Sequence, residues 1–139
     1  MAFYPYLFFG GNCRDAFTRY KEIFGGELFM MAMSDAPAEE ALPADKGDLI
    51  LHAALMLEGA MLMASDDPTG DVGAAQGMYV NYTVADAAEA ERVFDALADG
   101  GEVTQPLAET FFSPKFGMCV DRFGTPWMIS TDAPEQPSG

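Results

Sequence analysis

Apolar and polar positions alternate along the chain in two periods that follow each other twice. A short aromatic run at Phe3–Phe9 ends at Gly10-Gly11 and predicts a strand. Asn12 is a helix-start residue. Behind it Cys13, Ala16, Phe17, Tyr20, Ile23 and Phe24 recur at helical spacing, with Arg14, Arg19, Lys21 and Glu22 on the other face. Gly25-Gly26 supplies the stop. Glu27–Met33 predicts the next strand, and Ser34–Asp48, with its prolines and acids, a surface loop. Leu49–Leu57 and Ala60–Ser65 predict two strands around a Glu58-Gly59 turn. The same order then recurs. Met78–Val84 predicts a strand, and Asp86 with Glu89 a capping-box start. Ala90, Val93, Phe94 and Leu97 form a second stripe that ends at Gly100-Gly101. Strands follow at Glu102–Leu107, within Phe112–Val120 and at Pro126–Thr131, the last two flanking Asp121-Arg122-Phe123-Gly124.

An offset of 74 residues carries Asn12 to Asp86, Ala16 to Ala90, Tyr20 to Phe94, Ile23 to Leu97 and Gly26 to Gly100. The offset falls to 65 between Gly59 and Gly124, because the second copy lacks most of the Ser34–Asp48 loop. Two copies indicate paired modules rather than a solenoid. The expected fold class is α+β, one domain over 1–139 built from two βαβββ modules: 3–65 and 78–131, a linker at 66–77 and a frayed tail at 132–139.

Half of the 139 residues are hydrophobic, as in a globular protein. Seven basic against 22 acidic residues give a formal charge of −15, which repels phosphate backbones and anionic membrane surfaces, so nucleic acid and membrane are not expected partners. Met1-Ala2-Phe3-Tyr4-Pro5 lacks the basic start of a signal peptide, and no apolar run has the length of a membrane span. Cys13 and Cys119 form neither a CxxC pair nor a Cys/His cluster. They read as small buried groups in a reducing, cytoplasmic setting, although a thiol in the first turn of a helix can also be activated. No carboxylates converge for acid–base work, no serine sits in a nucleophile elbow, and no Gly-rich nucleotide loop follows a strand.

The segments Pro5-Tyr6-Leu7-Phe8-Phe9-Gly10-Gly11-Asn12, Phe24-Gly25-Gly26-Glu27-Leu28, Glu109-Thr110-Phe111-Phe112 and Phe116-Gly117 through Asp121-Arg122-Phe123-Gly124-Thr125-Pro126-Trp127-Met128-Ile129 resemble the PhnB-like branch of the vicinal oxygen chelate superfamily. That superfamily includes glyoxalase I, extradiol dioxygenases and the bleomycin- and fosfomycin-resistance proteins. The resemblance implies the glyoxalase/bleomycin resistance/dioxygenase fold, a cupped sheet lined by both modules, and a homodimer. The superfamily's metal enzymes take ligands from the first and last strand of each module. Those places fall on Pro5, Met63, Tyr79 and Met128, which include no carboxylate or imidazole. No divalent metal and no other cofactor is expected.

Strand alternation extends the assignment. If Pro5 faces the cup, so do Leu7 and Phe9, with Tyr6 and Phe8 under the helix. If Tyr79 does, so do Asn81 and Thr83. Across the Glu58-Gly59 turn Ala54 pairs with Met63, which puts His52, Met56 and Met61 on the inner face. The expected ligand-binding residues are therefore Leu7, Phe9, His52, Met56, Met63, Tyr79, Asn81, Phe112, Phe116, Met118 and Met128. Relatives often carry Trp where Phe112 stands. Two roles are open for His52, the chain's one histidine: a hydrogen-bonded structural group, or a proton acceptor or ligand anchor. The expected function is metal-independent binding of a small apolar or aromatic molecule. The alternatives are a lyase or isomerase with His52 as general base, and sequestration of a cationic drug.

Overall fold

The computed structural model describes residues 3–35, 47–70, 72–73, 75–110 and 115–131. The chain divides into two compact units, Met1–Gly73 and Ala74–Gly139. The first runs β1 (Tyr6–Phe9), α1 (Cys13–Phe24), β2 (Glu27–Ala32), a 3-10 turn at Met33–Asp35, β3 (Ile50–Leu57) and β4 (Ala60–Asp66). The second runs β5 (Val80–Val84), α2 (Ala87–Ala98), β6 (Glu102–Ala108), β7 (Phe116–Val120) and β8 (Pro126–Thr131). Each unit holds one four-stranded sheet, ordered β1-β4-β3-β2 and β5-β8-β7-β6. In both, the first strand joins the last in parallel and the remaining pairs are antiparallel. The α+β class and the twice-written βαβββ order are as the residue pattern implies.

Each helix lays its apolar stripe on one face of its own sheet. Cys13, Ala16, Phe17, Tyr20 and Ile23 are buried on α1, and Ala90, Val93, Phe94 and Leu97 on α2. Beneath α1 lie Phe9, Ala53, Leu55 and Ala64; beneath α2 lie Val84, Cys119, Trp127 and Ile129, all buried. Burial of each larger side chain contributes on the order of 1.5–3 kcal/mol, so these stripes hold helix to sheet. The hairpin after β3 has the expected register, Leu57 opposite Ala60 and Ala54 opposite Met63.

The helix starts differ from expectation in one respect. Asp86 does cap α2, its Oδ1 accepting the Glu89 N–H at 2.8 Å. The reciprocal half of a capping box is absent, because the Glu89 carboxylate pairs with Arg92. The Asn12 side chain makes no cap hydrogen bond. Its role passes to Asp66 at the end of β4, whose Oδ1 accepts the Gly11 and Cys13 N–H groups at 3.0 Å each. Asp66 Oδ2 accepts the Ile50 N–H at 2.9 Å. A full negative charge satisfies the open N–H groups and opposes the helix dipole better than a carboxamide does. In the second unit Thr131 stands 65 residues on from Asp66 and accepts the Lys115 N–H at 3.1 Å. Both copies thus tie the end of the last strand to the approach to the third.

A close backbone approach requires glycine at position 26. Gly26 has φ +79°, and a Cβ there would stand 2.3 Å from the Met56 carbonyl oxygen. The backbone of β2 can pass β3 at that point only without a side chain.

Candidate functional site

Each sheet has a face turned away from its helix, and the pairing register decides what that face carries. In the first unit Tyr6, Met63, Ala54 and Phe29 stand side by side across all four strands. Two residues along, His52 lies beside Met31, and Phe8 lies beside Ser65. Met56 opposite Met61 completes the face toward the hairpin. Tyr6, Phe8 and Phe29 are 42, 59 and 47% exposed, which is unusual for large aromatic side chains that a core could absorb.

His52 sits among these rings. The Tyr6 hydroxyl lies 3.2 Å from its Nδ1. The ring centroids of Tyr6 and His52 are 5.8 Å apart at 31°, and those of Phe29 and His52 are 6.5 Å apart at 52°. Tyr6 also leans on Phe8 at 5.4 Å. His52, Met56, Met61 and Met63 therefore share the face away from the helix, as expected.

Leu7 and Phe9 do not. They lie on the helix side, Phe9 only 4% exposed and edge-on to Phe17 at 6.2 Å. Tyr6 and Phe8, expected beneath the helix, are on the open face. The cause is a one-residue difference in the parallel register: Tyr6, not Pro5, lies beside Met63. A slip of one residue exchanges every side chain between the faces of a strand. Tyr6 and Phe8 were missed for that reason, and Phe29 because no turn or pairing in the residue pattern gave β2 a face. Their signal was the aromatic composition of β1 and β2, which does not say which face is wet.

In the second unit Asn81 lies beside Met128, itself opposite Met118, and Ser130 lies between Thr83 and Phe116. Asn81 Nδ2 donates to Thr83 Oγ1 at 3.1 Å. Ser130 Oγ donates to Asn81 Oδ1 at 3.3 Å. With its proton used there, Ser130 accepts from Thr83 Oγ1 at 3.0 Å. The three side chains close a ring in which each donates once and accepts once. One Asn81 N–H and several lone pairs are left facing outward, a polar spot bordered by Met118, Met128 and Phe116. Tyr79 precedes β5 and is exposed. Ser130 was not anticipated; its partner Thr83 was, from strand alternation. Phe112 lies outside the described residues.

The first- and last-strand places that metal-binding relatives use are, by strand pairing, Tyr6 with Met63 and Asn81 with Met128, rather than Pro5 and Tyr79. A phenol, a carboxamide and two thioethers do not fit a hard or borderline divalent cation. Among the described residues no three His, Cys, Asp or Glu side chains gather closely enough to hold one. The buried carboxylates are committed elsewhere. Asp66 serves α1 and β3. Asp121 takes the Phe123 and Thr125 N–H groups on Oδ1 and the Trp127 indole N–H at 2.8 Å on Oδ2. Both cysteine thiols are free and buried. Burial first, then the neighbouring Asp66, pushes the Cys13 thiol up to about 12, and burial with Asp121 pushes Cys119 up to about 11.

A helix on one side of a mixed sheet ordered first-last-third-second, repeated once, defines the vicinal oxygen chelate class of α+β proteins. At 12% identity, a glyoxalase/bleomycin resistance protein/dioxygenase family enzyme from Burkholderia phytofirmans shares the fold, with a TM-score of 0.64 over 94% of this chain and 97% of its own. The model of the family described as 3-demethylubiquinone-9 3-methyltransferase matches residues 1–130, and the chain belongs to that family, the PhnB-like branch of the superfamily. The crystal structure of protein PA1353 from Pseudomonas aeruginosa is 43% identical, with a TM-score of 0.87 over 95% of this chain and 98% of its own. A PhnB protein from Bacillus cereus is 25% identical, with a TM-score of 0.75 over 94% and 99%. Protein YjdN of Escherichia coli is 33% identical over 135 residues, covering 91% of this chain and 92% of the relative.

Proposed function

We propose that this protein binds a small, largely apolar or aromatic molecule on the helix-free faces of its sheets, without a divalent metal. The observation that carries the reading is the exposed cluster of Tyr6, Phe8 and Phe29 around His52, floored by Met63. Rings left in water at that density lose free energy, and a flat apolar guest recovers it. Methionines at 31, 56, 61 and 63 adapt to guests of different outline. The polar contacts that orient a guest come from His52 on the face of the first unit, and from Tyr79 and Asn81 on that of the second, as in most small-molecule sites. The donor set at the first- and last-strand places supports the metal-free part of the reading. The two units acting as one domain, a homodimeric assembly and a cytoplasmic location belong to the same proposal.

Titration with N-phenyl-1-naphthylamine, a neutral fluorophore, tests it. Saturable binding at a fixed stoichiometry is expected, unchanged by a chelator and weakened roughly tenfold by Phe29→Ala or His52→Ala, which corresponds to about 1.4 kcal/mol. Binding that vanishes with the chelator and returns with a divalent cation would refute the metal-free reading. No saturable binding at all would refute the site.

A further inference from the structure

The contact between Tyr6 Oη and His52 Nδ1 has a direction that chemistry decides. A phenol is a far stronger acid than a neutral imidazole N–H, and the bare imidazole nitrogen is a far better acceptor than a phenol oxygen. In neutral His52 the Tyr6 hydroxyl is therefore the donor and Nδ1 the acceptor. The ring proton is then on Nε2. We propose that Tyr6 is a positioning residue that holds His52 as an Nε2–H donor, and that this face selects neutral aromatic molecules bearing a hydrogen-bond acceptor, the class of aryl carbonyl compounds.

This deepens the proposed function and rests on it. The surroundings agree with the assignment. Tyr6 and Phe29 flank the imidazole, while Ala54 in their row and Ser65 beside Phe8 keep the floor between them low. A flat ring fits between such walls, and its carbonyl meets the one N–H that the imidazole offers. Among the residues of β1 to β4, Glu27, opposite Met56, is the only carboxylate on this face, and Asp66 is on the other. The overall charge of −15 disfavours a carboxylate guest, so a neutral acceptor is the better match. The assignment also bears on catalysis. An imidazole whose Nδ1 is engaged and whose Nε2 carries the proton cannot take one from a substrate, so His52 acts here as a donor and not as a general base.

The protein has one histidine, so its imidazole nitrogens give an unambiguous pair of 15N resonances. In uniformly 15N-labelled full-length protein at mildly alkaline pH, two-bond 1H–15N correlation should show a protonated Nε2 and a hydrogen-bonded, unprotonated Nδ1. In Tyr6→Phe the Nδ1 resonance should move downfield to the position of a free acceptor nitrogen. A role of Tyr6 confined to packing would leave it unmoved. A protonated Nδ1 in the wild type would overturn the assignment. Two matched probes test the ligand class, 2-acetylnaphthalene and 2-isopropylnaphthalene. The ketone should bind roughly three- to tenfold more tightly, the worth of one neutral hydrogen bond, and His52→Phe should erase that difference while still binding the hydrocarbon. Equal binding of both probes by the wild type would overturn the acceptor-selecting role and leave the apolar site intact. Binding of neither would overturn the small-molecule reading itself and the ligand class with it. Because Tyr6 is exposed, Tyr6→Phe should keep the wild-type far-ultraviolet circular dichroism.

Discussion

Asp66→Asn should destabilise the protein by about 2–4 kcal/mol, although it changes neither the size nor the shape of the side chain. Asp66 is 3% exposed and accepts three backbone N–H groups, two on Oδ1 and one on Oδ2. A carboxamide keeps one oxygen. Turned so that this oxygen serves Gly11 and Cys13, it presents an NH2 group to the Ile50 N–H, and a buried donor meets a donor. Leaving one such group unsatisfied costs about 1–3 kcal/mol. Removing the negative charge from the start of α1 adds about 0.3–1 kcal/mol. Asp66→Ala would lose all three bonds, a cost comparable with the stability of a small domain, so the asparagine is the more informative change. Thr131→Val at the equivalent place in the second unit is the control. It removes one acceptor, for the Lys115 N–H, and should cost about 1 kcal/mol. Urea unfolding followed by far-ultraviolet circular dichroism measures both, and amide exchange at Cys13 and Ile50 locates the change. An Asp66→Asn midpoint indistinguishable from wild type, with both amides still protected, would refute the claim that this carboxylate replaces Asn12 as the cap of α1.

Other consequences follow from the same structure. Gly25→Ala should cost about 1–3 kcal/mol, because Gly25 lies at φ +74° and ψ −147°, a region that only glycine enters freely, although space is open around it. Gly26→Ala should cost at least twice as much, since its Cβ would meet the Met56 carbonyl at 2.3 Å; paired thermal melts compare the two. Both thiols should resist an aromatic disulfide reagent at roughly pH 8 until the protein unfolds, since a folded value near 11 or 12 leaves no more than roughly one thiol in a thousand ionised. Because burial raises these values, the stability they contribute is complete below the ordinary value of 9.0. It is lost as pH climbs toward 12, so Cys13→Ala should flatten the alkaline fall of the unfolding midpoint. Trp127→Phe removes the indole N–H from Asp121 Oδ2 in a buried place and should cost about 2–4 kcal/mol by thermal denaturation.

The features legible in the residue order are those that local periodicity and short connections control. The stripes from Cys13 to Ile23 and from Ala90 to Leu97 name the buried helix faces, since helical spacing alone puts those residues on one side. The Glu58-Gly59 turn places Ala54 opposite Met63 and, with it, His52 on the face away from the helix, because a tight hairpin leaves its strands one register. The repeat gives the module, and the second copy keeps its plan at an offset that shortens only where a loop is missing. The residues that remained hidden depend on partners far along the chain. β1 and β4 are parallel strands more than fifty residues apart, and no turn ties their register. Packing chose Tyr6 rather than Pro5 as the neighbour of Met63, and that single step put Phe9 under α1 and Tyr6 beside His52. Asp66 capping α1 from the end of another strand, and Asn81, Thr83 and Ser130 closing a ring across two strands, are equally invisible to local pattern. By itself the order of residues determined that two βαβββ modules form and which histidine leaves the core. The tertiary structure alone decided which aromatic rings surround that histidine, because the face a strand shows is set by its pairing register and not by its composition.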